Sequence, residues 1–127
     1  MPLRDEADIV LARKHARELA AALGFGLLEQ VEIATAVSEL ARNVIQYAGA
    51  GEIVLEPVVE GSRRGLGLVC RDEGPGIADV DLVLAGGYST GRGLGRGLRG
   101  SRLLLDEFDI ATAPGRGTTV RGRKWLR

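Results

Sequence analysis

Residues 27–51 read LLEQVEIATAVSELARNVIQYAGAG. At 100° per residue, Ile33, Val37, Leu40, Ala41, Val44 and Ala48 fall on one side, so the spacing predicts a helix from about Leu27 to Ala48 with an apolar stripe for a core. The GAG at 49–51 stops it. Glu39 and Asn43, four residues apart, project together from the opposite side, which Glu32, Ala36 and Gln46 share. That side has two readings. It is either a solvated polar face with one Glu–Asn neighbour pair, or a site where a carboxylate able to take a proton stands beside an amide oxygen, a hard ligand suited to Mg²⁺.

Outward from this helix, Asp5 is placed to cap an earlier one, in which Ile9, Ala12, Ala16, Leu19, Ala20 and Leu23 recur at helical spacing before Gly24 and Gly26 end it. Downstream, GEIVLEPVV at 51–59 and LGLVCRD at 66–72 read as strands joined by the turn GSRRG at 61–65. DEGPG at 72–76 must be a loop, and Asp79 to Ala85 fits a short helix. Seven of the fifteen residues at 86–100 are glycine. At about 1 kcal/mol per helical glycine that stretch cannot be helix throughout, and the next helix is placed at about Leu98 to Asp106. FDIATA at 108–113 and TTVRGRKWL at 118–126 pair across PGRG at 114–117. The expected fold is α+β, a single domain over 1–127 with helices packed on one face of a mostly antiparallel sheet.

The chain of 127 residues is 45% hydrophobic and 27% charged, the balance of an ordinary globular domain, and no apolar run approaches the roughly 20 residues a membrane helix needs. MPLRDEADIV lacks the basic and apolar regions of a signal peptide, and the one cysteine, Cys70, lies in an apolar stretch where a free thiol packs as a small hydrophobe; both favour a cytoplasmic protein. Formal charge is zero but unevenly divided. Residues 1–85 hold 8 basic and 14 acidic side chains, and residues 86–127 hold 9 and 3, hence −6 and +6. Such a division marks either an anion-binding region or a plain surface dipole.

Two glycine-rich stretches carry chemistry. In DEGPG, Gly74 and Gly76 leave room for a flat ligand beside the backbone, and Asp72 at the strand's end is able to accept a hydrogen bond from an exocyclic amine such as that of adenine. GRGLGRGLRG at 91–100 lets successive backbone N–H groups converge on an anion at the start of a helix, with Arg92, Arg96 and Arg99 adding full charges; the plain alternative is a loop with solvated arginines. Other nucleotide signatures are absent. There is no GxxxxGK[ST], the glycine run does not follow an early strand of a βαβ unit, and no HRD or DFG occurs. Aromatic stacking residues are scarce near these arginines, which disfavours a nucleic-acid binder.

Taken in order, these motifs resemble the ATP site of the GHKL (HATPase_c) superfamily. Glu39 and Asn43 match its N box, Asp72-Glu73-Gly74-Pro75-Gly76 its first glycine box, Gly93-Leu94-Gly95-Arg96-Gly97-Leu98 its second, and Gly115-Arg116-Gly117-Thr118 its G-x-G-T turn. Within it, SELARNVIQYAG, GPGI, Gly87-Tyr-Ser-Thr90 and LLLDEFDIATAPGRGTTVRGRKW are similar to the RsbT-like serine/threonine kinases of bacterial stressosome partner switching, in the group of the RsbW and SpoIIAB anti-sigma factors. The resemblance implies a two-layer α/β sandwich (the Bergerat fold), an ATP lid at about 79–97, and an N-terminal strand shortened to about Pro2–Arg4. It implies ATP and Mg²⁺ as cofactors. Glu39 would be the general base acting on a target Ser or Thr. Asn43 would hold Mg²⁺, Asp72 would bond the adenine amine, and Gly74, Gly76, Ile77 and Thr118 would complete that end of the pocket. Gly93, Leu94, Gly95, Arg96 and Gly97 would face the phosphates; neither Arg92 nor Arg96 is in register with the arginine that contacts the terminal phosphate in related kinases. The partners implied are a STAS-domain antagonist of the RsbS/RsbR kind and a downstream regulator such as a PP2C-type phosphatase, with no nucleic acid and no membrane. A non-catalytic, anti-sigma-like ATP-binding switch is the alternative, and a sensor histidine kinase core is disfavoured because 127 residues leave no room for a dimerisation domain with a phosphoacceptor. His15 on the first helix lies away from the site, Tyr47 is expected to flank the pocket or core, and Trp125 to pack.

Overall fold

The computed structural model describes residues 1–76 and 94–127, with the backbone alone for 94–97. In chain order the elements are β1 (Pro2–Leu3), α1 (Glu6–Leu23), α2 (Leu27–Ala48), β2 (Gly51–Glu60), β3 (Arg63–Asp72), α3 (Leu94–Leu104), β4 (Glu107–Thr112) and β5 (Thr118–Trp125). The five strands form one sheet in the order β1-β2-β3-β5-β4, and each of the four pairings among the described residues is antiparallel.

The helical hairpin begins and turns as its sequence dictates. The Asp5 carboxylate accepts the Asp8 N–H at 3.2 Å, and Gly24, at φ 102°, closes α1 by donating to the Ala20 and Ala21 carbonyls. Ile9, Ala12, Ala16 and Ala20 of α1 are buried with Ile33, Val37, Leu40, Ala41 and Val44 of α2. They pack on one face of the sheet, where strand register sets Ile53, Cys70 and Val120 in one transverse row and Leu55, Leu68 and Gly122 in the next. Each fully buried Leu or Ile of this layer contributes about 1.5–3 kcal/mol. The opposite face keeps Glu52, Glu56, Arg71 and Arg121 in water. This is the expected two-layer α/β sandwich.

Three local expectations change. The β2–β3 strands run on to Glu60 and Arg63, so the turn shrinks from GSRRG to Gly61-Ser62. Arg63 is held in the strand by the Glu60 carboxylate at 2.7 Å and by stacking 4.3 Å above the Trp125 ring, interactions that turn chemistry alone does not reveal. Helix α3 begins at Leu94, four residues before Leu98, despite its glycines. It docks on α2, burying Leu98 and Ser101, and the Ser101 hydroxyl donates to the Ala36 carbonyl at 3.4 Å. That packing outweighs the propensity cost. Its C-terminal end is met by Lys124, whose Nζ donates to the Leu104 carbonyl at 2.9 Å and lies 4.0 Å from Glu32. Third, the side of α2 carrying Asn43 is not a solvated face: α3 leaves Ala36 fully buried. The short helix expected at Asp79–Ala85 lies outside the described residues, as does the part of the expected lid before 94.

Candidate functional site

Strand β3 ends on Asp72, whose Cα partner on β5 is Thr118. The chain then turns through Glu73–Gly76, and the Gly74 N–H donates to Asp72 Oδ1 at 2.9 Å. A second turn supports the first: the Gly115 N–H donates to the Pro75 carbonyl at 2.7 Å and the Gly117 N–H to the Gly74 carbonyl at 3.1 Å. Glycine is required where the turns meet. Gly76 and Gly117 have φ of 77° and 75°, and a Cβ on them would overlap the carbonyl oxygens of Ala113 and Asp72 respectively. DEGPG and PGRGT are thus two halves of one structure.

A cleft opens between this structure and the α2–α3 pair. Among the described residues its polar lining includes Asn43, Asp72 and Thr118, and its apolar walls include Leu40, Val44, Cys70, Leu98 and Val120. An acidic acceptor at one end of an apolar slot suits a flat heteroaromatic ring with a donor at its edge. Burial pushes the Asp72 carboxyl above its ordinary value, opposed by the N–H groups of Gly74 and Thr118. The same burial, with the Asp72 charge, pushes the Cys70 thiol up to about 12, so it is an inert wall, 2% exposed. Asn43 Nδ2 is buried and finds no hydrogen-bond partner among the described residues. A buried amide without a partner, lining a cleft, fits a group that a ligand or its metal completes. Exchanging the two amide positions would turn Oδ1 to that spot, where it could serve a cation. Among the described residues no three His, Cys, Asp or Glu side chains gather as a metal cage.

Glu39 stands one turn before Asn43 on α2, outside the cleft lining. It is partly exposed and lies 3.2 Å from Arg42 Nη1. The structure therefore brings Asn43, Asp72, Gly76 and Thr118 to one cleft, sets Gly74 behind it, and leaves Glu39 at the neighbouring surface. Leu94, Gly95, Arg96 and Gly97 open α3, while Ile77, Arg92 and Gly93 lie outside the described residues. Tyr47 flanks the cleft as expected, and Trp125 packs, 5% exposed. In the sequence the apolar walls are marked only as core: Leu40 and Val44 belong to the core stripe, and their spacing carries no sign that one end of that stripe faces a ligand.

Residues 29–126 match the family model of the histidine kinase-, DNA gyrase B- and HSP90-like ATPases. The chain belongs to the HATPase_c family. It is 48% identical over 122 residues, 96% of its length and 92% of the relative's, to the serine/threonine-protein kinase RsbT of Bacillus subtilis. It is 29% identical over 91% of its length to the anti-sigma F factor of a Thermoanaerobacter species, covering 83% of that protein. Among solved structures it resembles the histidine kinase domain of the blue-light-activated histidine kinase of Erythrobacter litoralis, with a TM-score of 0.56 at 20% identity, over 91% of this chain and 59% of that one. This last likeness concerns the fold alone. Residues of three of the four motifs, Asn43, Asp72, Gly76 and Thr118, line this one cleft.

Proposed function

We propose that the protein is an ATP-dependent serine/threonine-protein kinase of a bacterial partner-switching pathway. In this role it would phosphorylate a STAS-domain antagonist and then act on a downstream regulator such as a PP2C-type phosphatase. The observation that carries the proposal is the 48% identity to the Bacillus subtilis kinase across nearly the whole of both chains. The cleft supports it: Asp72 offers an acceptor for the adenine amine, Thr118 stands beside it, and the apolar walls enclose the ring. Gly93 to Gly97, at and before the start of α3, would give backbone donors and the helix's positive end to the phosphates. Bound Mg²⁺ would neutralise phosphate charge, with Asn43 as its protein ligand.

Glu39 would act on the hydroxyl of the incoming Ser or Thr. Its place suits that role better than nucleotide binding, because it is beside the cleft, partly exposed and within reach of a docked protein. One carboxylate oxygen lies near Arg42, and the other is able to accept the proton. The second reading, a binding switch without catalysis, draws on the 29% identity to anti-sigma F factors. Incubation with labelled ATP, Mg²⁺ and candidate STAS proteins separates the two. Label on a Ser or Thr of the partner supports the kinase; tight binding without label supports the switch.

A further inference from the structure

The end of the sheet's inner face carries a transverse row of three polar side chains. Asp72 is the Cα partner of Thr118 across β3–β5, and Thr118 is the partner of Thr112 across β5–β4. Directly paired residues share a face, so the three stand side by side, Asp72 and Thr118 lining the cleft and Thr112 behind them. Among the described residues, the contacts of this row assign its hydroxyl hydrogens. Thr112 Oγ1 donates to the Gly117 carbonyl at 2.9 Å and lies 3.0 Å from Thr118 Oγ1. A carbonyl only accepts, and threonine has a single hydroxyl hydrogen. With the Thr112 hydrogen directed to Gly117, the donor between the two threonines is Thr118. The Thr118 hydrogen therefore points away from the cleft, and its oxygen faces the cleft with lone pairs only. The Asp72 carboxylate beside it is also an acceptor, with the Gly74 N–H already on Oδ1.

We infer that Thr112, which does not itself line the cleft, is a positioning residue that fixes the hydrogen-bond polarity of the Asp72–Thr118 end and so selects a 6-aminopurine over a 6-oxopurine. This rests on the nucleotide reading of the cleft. An amino group, or a water bridging from it, brings hydrogens to an all-acceptor end. A 6-oxopurine can offer its ring N–H to Asp72, but its oxygen then meets the Thr118 oxygen with no hydrogen between them. Without the Thr112 hydroxyl, Thr118 is released to rotate and donate to that oxygen. Thr112 is thus a second contributor to base choice, acting through Thr118, where Asp72 acts directly.

The test measures ATP and ITP affinity by calorimetry on wild type, Thr112→Val and Thr112→Ser. ITP differs from ATP only in the 6-position and the adjacent ring proton, so the affinity ratio reads this end of the cleft and is insensitive to a general loosening of the fold. Thr112→Val, close to isosteric, is expected to narrow the ITP/ATP ratio of dissociation constants about tenfold, chiefly by improving ITP. Thr112→Ser keeps the hydroxyl and is expected to keep the wild-type ratio. A Val variant whose ratio stays within about twofold of wild type overturns the inference while leaving the nucleotide reading intact. So does a Ser variant as unselective as Val. A wild type that binds neither nucleotide overturns the nucleotide reading and this inference with it.

Discussion

Asp72 is held in a tension that predicts opposite effects on folding and on binding. Its folded carboxyl titrates above the ordinary value because burial outweighs the N–H groups of Gly74 and Thr118. A carboxyl raised on folding contributes stability that is complete below its unfolded value and is lost as pH rises through the folded one. At neutral pH the ionised group is a net cost to the free protein, one that a donor on the ligand would offset. Asp72→Asn is therefore expected to melt at the same or a higher temperature at pH 7, yet to lose about one to two decades of ATP affinity with the charge-assisted hydrogen bond, or roughly 1.5–3 kcal/mol. Melting curves and calorimetry check the pair; a variant that melts lower but binds ATP normally contradicts it. Cys70, two residues earlier on the same face, is pushed up to about 12 and is 2% exposed. Its thiol is expected to resist a disulfide reagent at pH 8 in the folded protein and to react fully in denaturant; labelling of the native state at the rate of a free thiol would contradict its placement. The role of Cys70 as a small hydrophobe is legible in its apolar neighbours. Its place on the cleft wall is not, because a strand residue that packs on a helix and one that packs on a ligand obey the same alternation.

Among the elements, α1 and α2 are legible because each carries a main core stripe, and a stripe at 3.6-residue spacing writes itself into the sequence. Helix α2 in fact buries two. The stripe at Ile33, Val37, Leu40 and Val44 meets the sheet, while Ala36 meets α3 and is hidden by its own small size among polar neighbours. Ala36→Leu is accordingly expected to overpack the α2–α3 contact and cost about 1–3 kcal/mol, whereas Ala36→Gly tests propensity and should cost about 1 kcal/mol. Urea unfolding of both checks it; a Leu variant as stable as wild type would show that α3 does not pack as described. The start of α3 is hidden in the sequence for the converse reason. Its glycines argue against helix locally, and what makes it a helix is the burial of Leu98 and Ser101 against α2, a contact 65 residues away in sequence for Ser101 and Ala36. The β2–β3 turn shows the same limit, because Arg63 is drawn into the strand by Glu60 and by Trp125 at the other end of the chain.

In the whole molecule, the acidic N-terminal and basic C-terminal parts seen in the sequence prove to be partly partners. Arg123 reaches Glu60 at 2.9 Å and Lys124 lies 4.0 Å from Glu32, each joining one part to the other. The charge division therefore speaks less strongly for an anion site than its totals suggest, since some of it is spent within the fold on pairs that, when exposed, contribute at most about 1 kcal/mol each. The motifs carry the functional signal better than the charge does. Glycines and polar residues spread from 43 to 118 converge on one cleft through the β3–β5 pairing and the stacked turns, which no local window of sequence contains. The role of Glu39 beside that cleft decides between a kinase and a switch. The most direct test is a single-turnover transfer of labelled phosphate from Mg²⁺–ATP to a STAS-domain partner by wild type and Glu39→Gln, with ATP binding measured on both. The kinase account predicts label on a Ser or Thr of the partner, a transfer rate reduced about 10²–10⁴-fold in the variant, and ATP affinity little changed. Equal rates in the two proteins, or no transfer by the wild type to any such partner, would contradict it.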